Sequence, residues 1–141
     1  MRPIPLLLAV FLCLSLPACV HTRLCGTAEP GAPVHIDVTY AADGMPVVAP
    51  ETCTVEPGVA ITWRGPALDD TPFRLTFQGD PGTVTKGTPP GIRMRAPRGL
   101  GVEAATGLRR EVRITAENPG TYKYDVDANA RSLDPHIIIE R

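Results

Sequence analysis

Thr54-Val55-Glu56-Pro57-Gly58-Val59-Ala60-Ile61-Thr62-Trp63 is the stretch on which the fold turns. Two short β-prone runs, one ending at Val55 and one beginning at Val59, flank an adjacent Pro and Gly. Proline presets the first central position of a type II turn, and the second needs a positive φ, which glycine adopts without steric cost. The segment therefore reads as strand, tight turn, strand, with Trp63 as the heaviest anchor for a core.

Outward from this turn the strand signals continue. Upstream, Val34-His35-Ile36-Asp37-Val38-Thr39-Tyr40 alternates, apolar on even positions and polar on odd, the period of a strand with one face buried. Ala41-Ala42-Asp43-Gly44 supplies turn chemistry. Met45 to Val55 is a second extended piece in which Pro46 and Pro50, lacking an N–H for the ladder, call for an edge or a bulge. Downstream, Phe73-Arg74-Leu75-Thr76-Phe77 alternates with its apolar residues on one face. Glu111 to Ala116, Thr121 to Val126 and His136 to Glu140 follow as strands, with a turn at Glu117-Asn118-Pro119-Gly120. Between them, from Gly79 to Gly107, Gly and Pro recur without sustained alternation, which reads as a long Gly/Pro/Arg-rich insertion. Seven or eight short strands and 16 prolines, which oppose helices, predict an all-β chain folded as an antiparallel Greek-key β-sandwich.

A chain of 141 residues is one small domain, and a net charge of −1 gives no general attraction to nucleic acid. The charge is uneven, however. Glu29 to Asp80 holds eight acids and two arginines, whereas Lys86 to Arg113 holds seven bases and two acids. Lys86, Arg93, Arg95, Arg98, Arg109 and Arg110 could therefore meet anionic head groups or an acidic partner, or fold back on the acidic segment. Catalytic chemistry finds little support: beyond residue 19 the only serine is Ser132, and the carboxylate pairs Asp69-Asp70 and Asp125-x-Asp127 fall at strand ends, where solvated turn acids are common. The expectation is a non-enzymatic protein without a cofactor.

Residues 1–18 have the layout of a secretory signal, one Arg and then an apolar run too short to span a bilayer. Leu16-Pro17-Ala18-Cys19 resembles the lipobox of bacterial lipoproteins, in which the Cys is acylated. That resemblance implies residues 1–18 as a removed lipoprotein signal peptide, lipid attachment at Cys19, residues 19–33 as a tether and residues 34–141 as the domain. It places the protein in the cell envelope, with Val20 matching the outer-membrane default, on the periplasmic side. An ordinary signal cut at Ala18 would instead leave three cysteines in an oxidising compartment; lipidation leaves one pair, Cys25 and Cys53, expected to form a disulfide. The other reading leaves Cys25 loose and Cys53 as a small core residue.

The 54–63 segment resembles the strand-turn-strand of cupredoxins, and Pro119-Gly120-Thr121-Tyr122-Lys123-Tyr124 resembles the entry to their copper loop. The likeness runs in order over residues 34–141 outside the insertion. It implies a cupredoxin-like sandwich but not its copper, because a type 1 site needs two His and a Cys thiolate with a weak axial ligand. Phe73 stands in the place of the first His and Val126 in that of the Cys, and Asp127 to Pro135 contains no His, Cys or Met. A second reading is a metal-handling protein using His35 and His136, should the first and last strands be neighbours. Gly-x-Tyr-x-Tyr also resembles the tyrosine corner of immunoglobulin-like sandwiches. The function expected is an interaction or structural module anchored to the membrane by lipid.

Overall fold

The computed structural model describes Cys25, residues 32–88 and residues 99–140. The expected signal peptide, Cys19, most of the tether, and Arg93, Arg95 and Arg98 lie outside the described residues. Within them there are eleven strands and no helix: β1 Val34–Tyr40, β2 Pro46–Ala49, β3 Thr52–Val55, β4 Ala60–Arg64, β5 Arg74–Phe77, β6 Gly82–Lys86, β7 Gly101–Glu103, β8 Glu111–Ala116, β9 Gly120–Ala128, β10 Arg131–Leu133 and β11 His136–Ile139. They form two packed sheets, ordered β2-β1-β4-β8-β6 and β3-β11-β9-β5-β7, with β10 hairpinned onto β9.

The β-sandwich expected from the alternation is the observed architecture, and each sheet adds one parallel pair to its antiparallel ladders. β1 runs parallel to β4, with Ile36 opposite Trp63, and β11 runs parallel to β3, with Ile137 opposite Cys53. Parallel neighbours are joined by long crossovers and leave no turn signature, so local patterns do not reveal them. The two prolines of the Met45–Val55 piece act as expected: the segment splits at Pro50 into β2 and β3, an edge strand of each sheet. The Glu56–Val59 turn is type II in character, with Gly58 at φ 91° and the Val59 N–H donating to the Glu56 carbonyl at 3.3 Å.

The Gly79–Gly107 insertion is a correction. It contributes β6 to the edge of one sheet and β7 to the edge of the other, and Thr88 bridges to Glu103 between them. β6 escaped the alternation test because a bulge between Val84 and Lys86 breaks its register and only half-buried Val84 turns a sizeable apolar side chain inward.

Inward side chains of both sheets make one core around Trp63, Phe77 and Tyr124, all buried, with ring centroids 5.2 to 5.6 Å apart. The Trp63 indole N–H donates to the Tyr124 hydroxyl at 3.0 Å, joining β4 of one sheet to β9 of the other. Burial pushes the Tyr124 phenol well above its ordinary range, so it stays neutral. Tyr122 does a different job two residues earlier: its hydroxyl bonds back to the Asn118 carbonyl at 3.0 Å, the tyrosine-corner arrangement, and its ring lies against Gly79, where a Cβ would come within 3.1 Å.

Outside the first sheet, charge alternates across four strands in one row. Asp37 on β1 pairs with Arg64 on β4 at 2.5 Å; Arg64 sits opposite Glu111 on β8, which pairs with Lys86 on β6. Lys86 holds the Glu111 carboxyl below its ordinary value. One row inward along the strands, Arg113 lies over Thr62, donating to its hydroxyl at 3.0 Å, which accounts for a polar residue buried on an outer face.

Cys25 and Cys53 are joined, with α-carbons 4.9 Å apart, so the disulfide reading holds. The bond fixes the described N-terminal residue to edge strand β3. With a sequence separation of 28 residues, the chain-entropy model gives about 3.5 kcal/mol. Cys25→Ser should lower the denaturation free energy by about that much in chemical unfolding, and reducing agent should bring the wild type to the same value; equal stability with and without reductant would refute the role. Tyr124→Phe should cost about 1–3 kcal/mol, because it strands the buried Trp63 N–H, and Trp63 fluorescence would report the changed environment directly.

Candidate functional site

The end of the sandwich to which the sequence reading points is built from the start of β5, the end of β9 and the loops around them. Register fixes this: Arg74 pairs with Asp127 and Leu75 with Val126 across β5 and β9, and Val126 pairs with Leu133 across the β9–β10 hairpin. Phe73, Leu75, Val126 and Ala128 are all buried in the core cluster, and Leu133 packs against it half-buried. The two positions given to metal ligands by the resemblance, Phe73 and Val126, are thus apolar and inward-facing.

The Asp127–Pro135 segment holds the end of β9 and the whole of β10. Ala128 pairs with Arg131, leaving Asn129 and Ala130 as a two-residue connection with φ 52° and 57°, the signature of a type I′ hairpin. The Asn129 side-chain amide donates to the Gly44 carbonyl at 3.2 Å, tying this hairpin to the β1–β2 turn. The chain offers neither thiolate nor imidazole at these positions, and among the described residues no three His, Cys, Asp or Glu side chains come together as a metal-holding group.

His35 and His136 do not converge, which corrects the condition on which the second reading depended. They belong to strands of different sheets, and each alternates with buried neighbours, Val34 and Ile36 or Ile137, so they face outward on opposite sides. His136 has a local partner, its Nε2 lying 3.3 Å from the Thr52 hydroxyl.

Of the carboxylate pairs, Asp69 caps its own turn. Asp69 accepts from the Thr71 N–H at 2.8 Å, and its hydrogen bonds to Thr71 hold the carboxyl below the ordinary range. Asp125 moves the other way, raised first by burial and then by the neighbouring Asp127 and Asp134. Asp134 itself receives the Lys123 ammonium at 2.8 Å. Of the basic candidates, Lys86 is committed to Glu111, and the Arg110 Nε donates to the Asp70 carbonyl at 3.2 Å, within the acidic segment. Arg109 is half-buried beside it.

Sequence reasoning missed two residues at this end. Leu68 and Leu108 are 90% and 86% exposed and stand on neighbouring loops, joined by a hydrogen bond from the Leu68 N–H to the Leu108 carbonyl at 3.1 Å. Neither belongs to an alternating run, and only the pairing of β4 with β8, Arg64 opposite Glu111, brings them together.

No protein-family model matches this chain, and no curated protein matches it in sequence. Among solved structures, a copper(I) form of an amicyanin variant is similar over 84% of this chain and 90% of its own, at 15% identity and a TM-score of 0.46. Auracyanin A, a blue copper protein of Chloroflexus aurantiacus, is similar over 77% of this chain and 99% of its own, at 16% identity and a TM-score of 0.45. Auracyanin B is similar over 84% and 95%, at 10% identity and a TM-score of 0.41.

The β9–β10 turn makes its own test. An alanine in the left-handed region costs about 1–2 kcal/mol, while glycine there gives back about 0.5–1 kcal/mol through its larger unfolded-state entropy. Ala130→Gly should therefore raise stability by about 0.5–1 kcal/mol, seen as a higher urea midpoint at unchanged slope. A lower midpoint would show that the Ala130 side chain matters more than its backbone.

Proposed function

We propose that this chain is a non-enzymatic envelope protein, anchored by lipid at Cys19, that serves as an interaction or structural module on a cupredoxin-like sandwich without type 1 copper. The observation that carries the reading is the character of the candidate pole: Phe73 and Val126, at the positions the family gives to ligands, are buried apolar side chains, and a closed hairpin takes the place of a ligand-bearing loop. The disulfide supports the address, since such bonds persist in oxidising compartments. The Leu16-Pro17-Ala18-Cys19 motif supports the anchor. Periplasmic exposure at the outer membrane belongs to the same proposal.

The test is direct. Titration of the purified protein with Cu(II), Cu(I) and Zn(II) should give no stoichiometric binding in the micromolar range and no visible charge-transfer band. Tight binding abolished by His136→Ala would replace this reading with a metal-handling one. Independently, the native protein should partition into detergent and carry acyl mass, and Cys19→Ser should release it; an unmodified, freely soluble wild type would remove the anchor.

A further inference from the structure

Two adjacent loops at the candidate pole present the same short pattern with opposite charge. After β4 the chain displays Leu68-Asp69-Asp70, and before β8 it displays Leu108-Arg109-Arg110. The loops extend the β4–β8 ladder beyond the sheet: the Gly65 N–H donates to the Arg110 carbonyl at 2.8 Å, and the Leu68 N–H to the Leu108 carbonyl at 3.1 Å. The geometry around them is fixed from both sides. Ala105 and Glu111 exchange backbone hydrogen bonds of 2.9 and 3.1 Å, the Asp69 N–H donates to the Pro66 carbonyl at 3.4 Å, and the Tyr40 hydroxyl donates to the Thr71 carbonyl at 3.3 Å.

Leu68 is the least expected residue on this surface. It sits at φ 62°, in the left-handed region that a branched, bulky side chain seldom occupies, and its side chain is 90% exposed. Folding gains nothing from that side chain, and glycine would hold the backbone with less strain. A strained, exposed leucine beside a second exposed leucine marks a place where contact is made with something else.

The charges around the two leucines say what that is. An anionic bilayer or a nucleic acid would be attracted to Arg109 and Arg110 but repelled by Asp69 and Asp70 immediately alongside. A surface in which an apolar pair carries an acidic and a basic segment side by side is complementary to itself after a half-turn that sets acid on base, which is the requirement for an isologous two-fold interface. We propose that this pole is a self-association surface on which a second copy of the chain seats Leu68 against Leu108 and Asp70 against Arg109. The proposal deepens the interaction-module reading and rests on it. Two leucines and their flanking charges make a small contact of the weak, transient class, burying less than about 1,200 Å² in total. Its salt dependence should be marked, because Asp70 is exposed and Arg109 only half-buried, which leaves both charges open to screening.

Sedimentation velocity and NMR line widths of the full chain in detergent, from about 10 μM to 1 mM, the range in which so small an interface would associate, should show concentration-dependent dimerisation that weakens with salt. Leu68→Gly should unfold no more easily than the wild type yet weaken association by at least about tenfold, the loss expected from one buried leucine. Asp70→Lys and Arg109→Glu should each weaken it, and the double variant should recover it, since the ion pair then re-forms with reversed sign. A chain that stays monomeric across the range overturns the proposal while leaving the copper-free, anchored reading intact. Dimerisation indifferent to Leu68→Gly and to the charge reversals overturns it in favour of another face. Monomers that co-sediment with phosphatidylglycerol vesicles through Leu68 and Leu108 overturn it in favour of a lipid surface. Association that appears only with added copper overturns it and the copper-free reading together.

Discussion

The hydrogen bond from the Trp63 indole to the Tyr124 hydroxyl is the constraint around which the two sheets are arranged. Each residue is the largest buried side chain on its strand, and each carries a polar group that cannot be left unpaired in an apolar core. Placing them opposite one another satisfies both at once and sets how β4 and β9 face each other. Phe77 on β5 closes the cluster edge-to-face on Trp63. With only seven aromatic residues in the chain, three of them meet at this one point. Packing therefore depends on one central cluster and on the aliphatic strands that surround it.

Around that centre the edges are held by other means. The disulfide fastens β3, the tyrosine corner fastens the turn before β9, and the Asp37–Arg64–Glu111–Lys86 row laces the outside of the first sheet. Exposed ion pairs singly contribute little. A row of alternating sign has a second effect, because a strand slipped by one residue would turn these charges into the core and the apolar set out to solvent. Register, more than stability, is what the row specifies.

Much of the sandwich was legible from residues because so many strands are half solvated. Val34, Ile36 and Val38 are buried while His35 and Thr39 are exposed, so the strand writes its two faces into the sequence. Pro46 and Pro50 were equally legible, since a missing N–H calls for an edge or a bulge. Other features are not local. β6 and β7 are short edges within a Gly-rich stretch, the parallel pairs have no turn between them, and the disposition of His35 and His136 depends on which sheet each strand joins. The Leu68–Leu108 pair is the clearest case: each is unremarkable in its own segment, and only strand pairing makes them neighbours.

The same long-range logic explains why the candidate pole has the character it does. β9 continues past Val126 into a tight hairpin with β10, so the backbone satisfies itself where an open loop would have needed side-chain or solvent partners. Phe73, Val126 and Ala128 then fill the space beneath it as ordinary core. An apolar interior at this pole makes the core continuous up to the hairpin. The exposed groups of this end lie on its outer rim, where the loops after β4 and before β8 carry the exposed leucines and the opposed charges. What distinguishes this pole is therefore the arrangement of groups on its outer loops, which backbone hydrogen bonds between the loops hold in place.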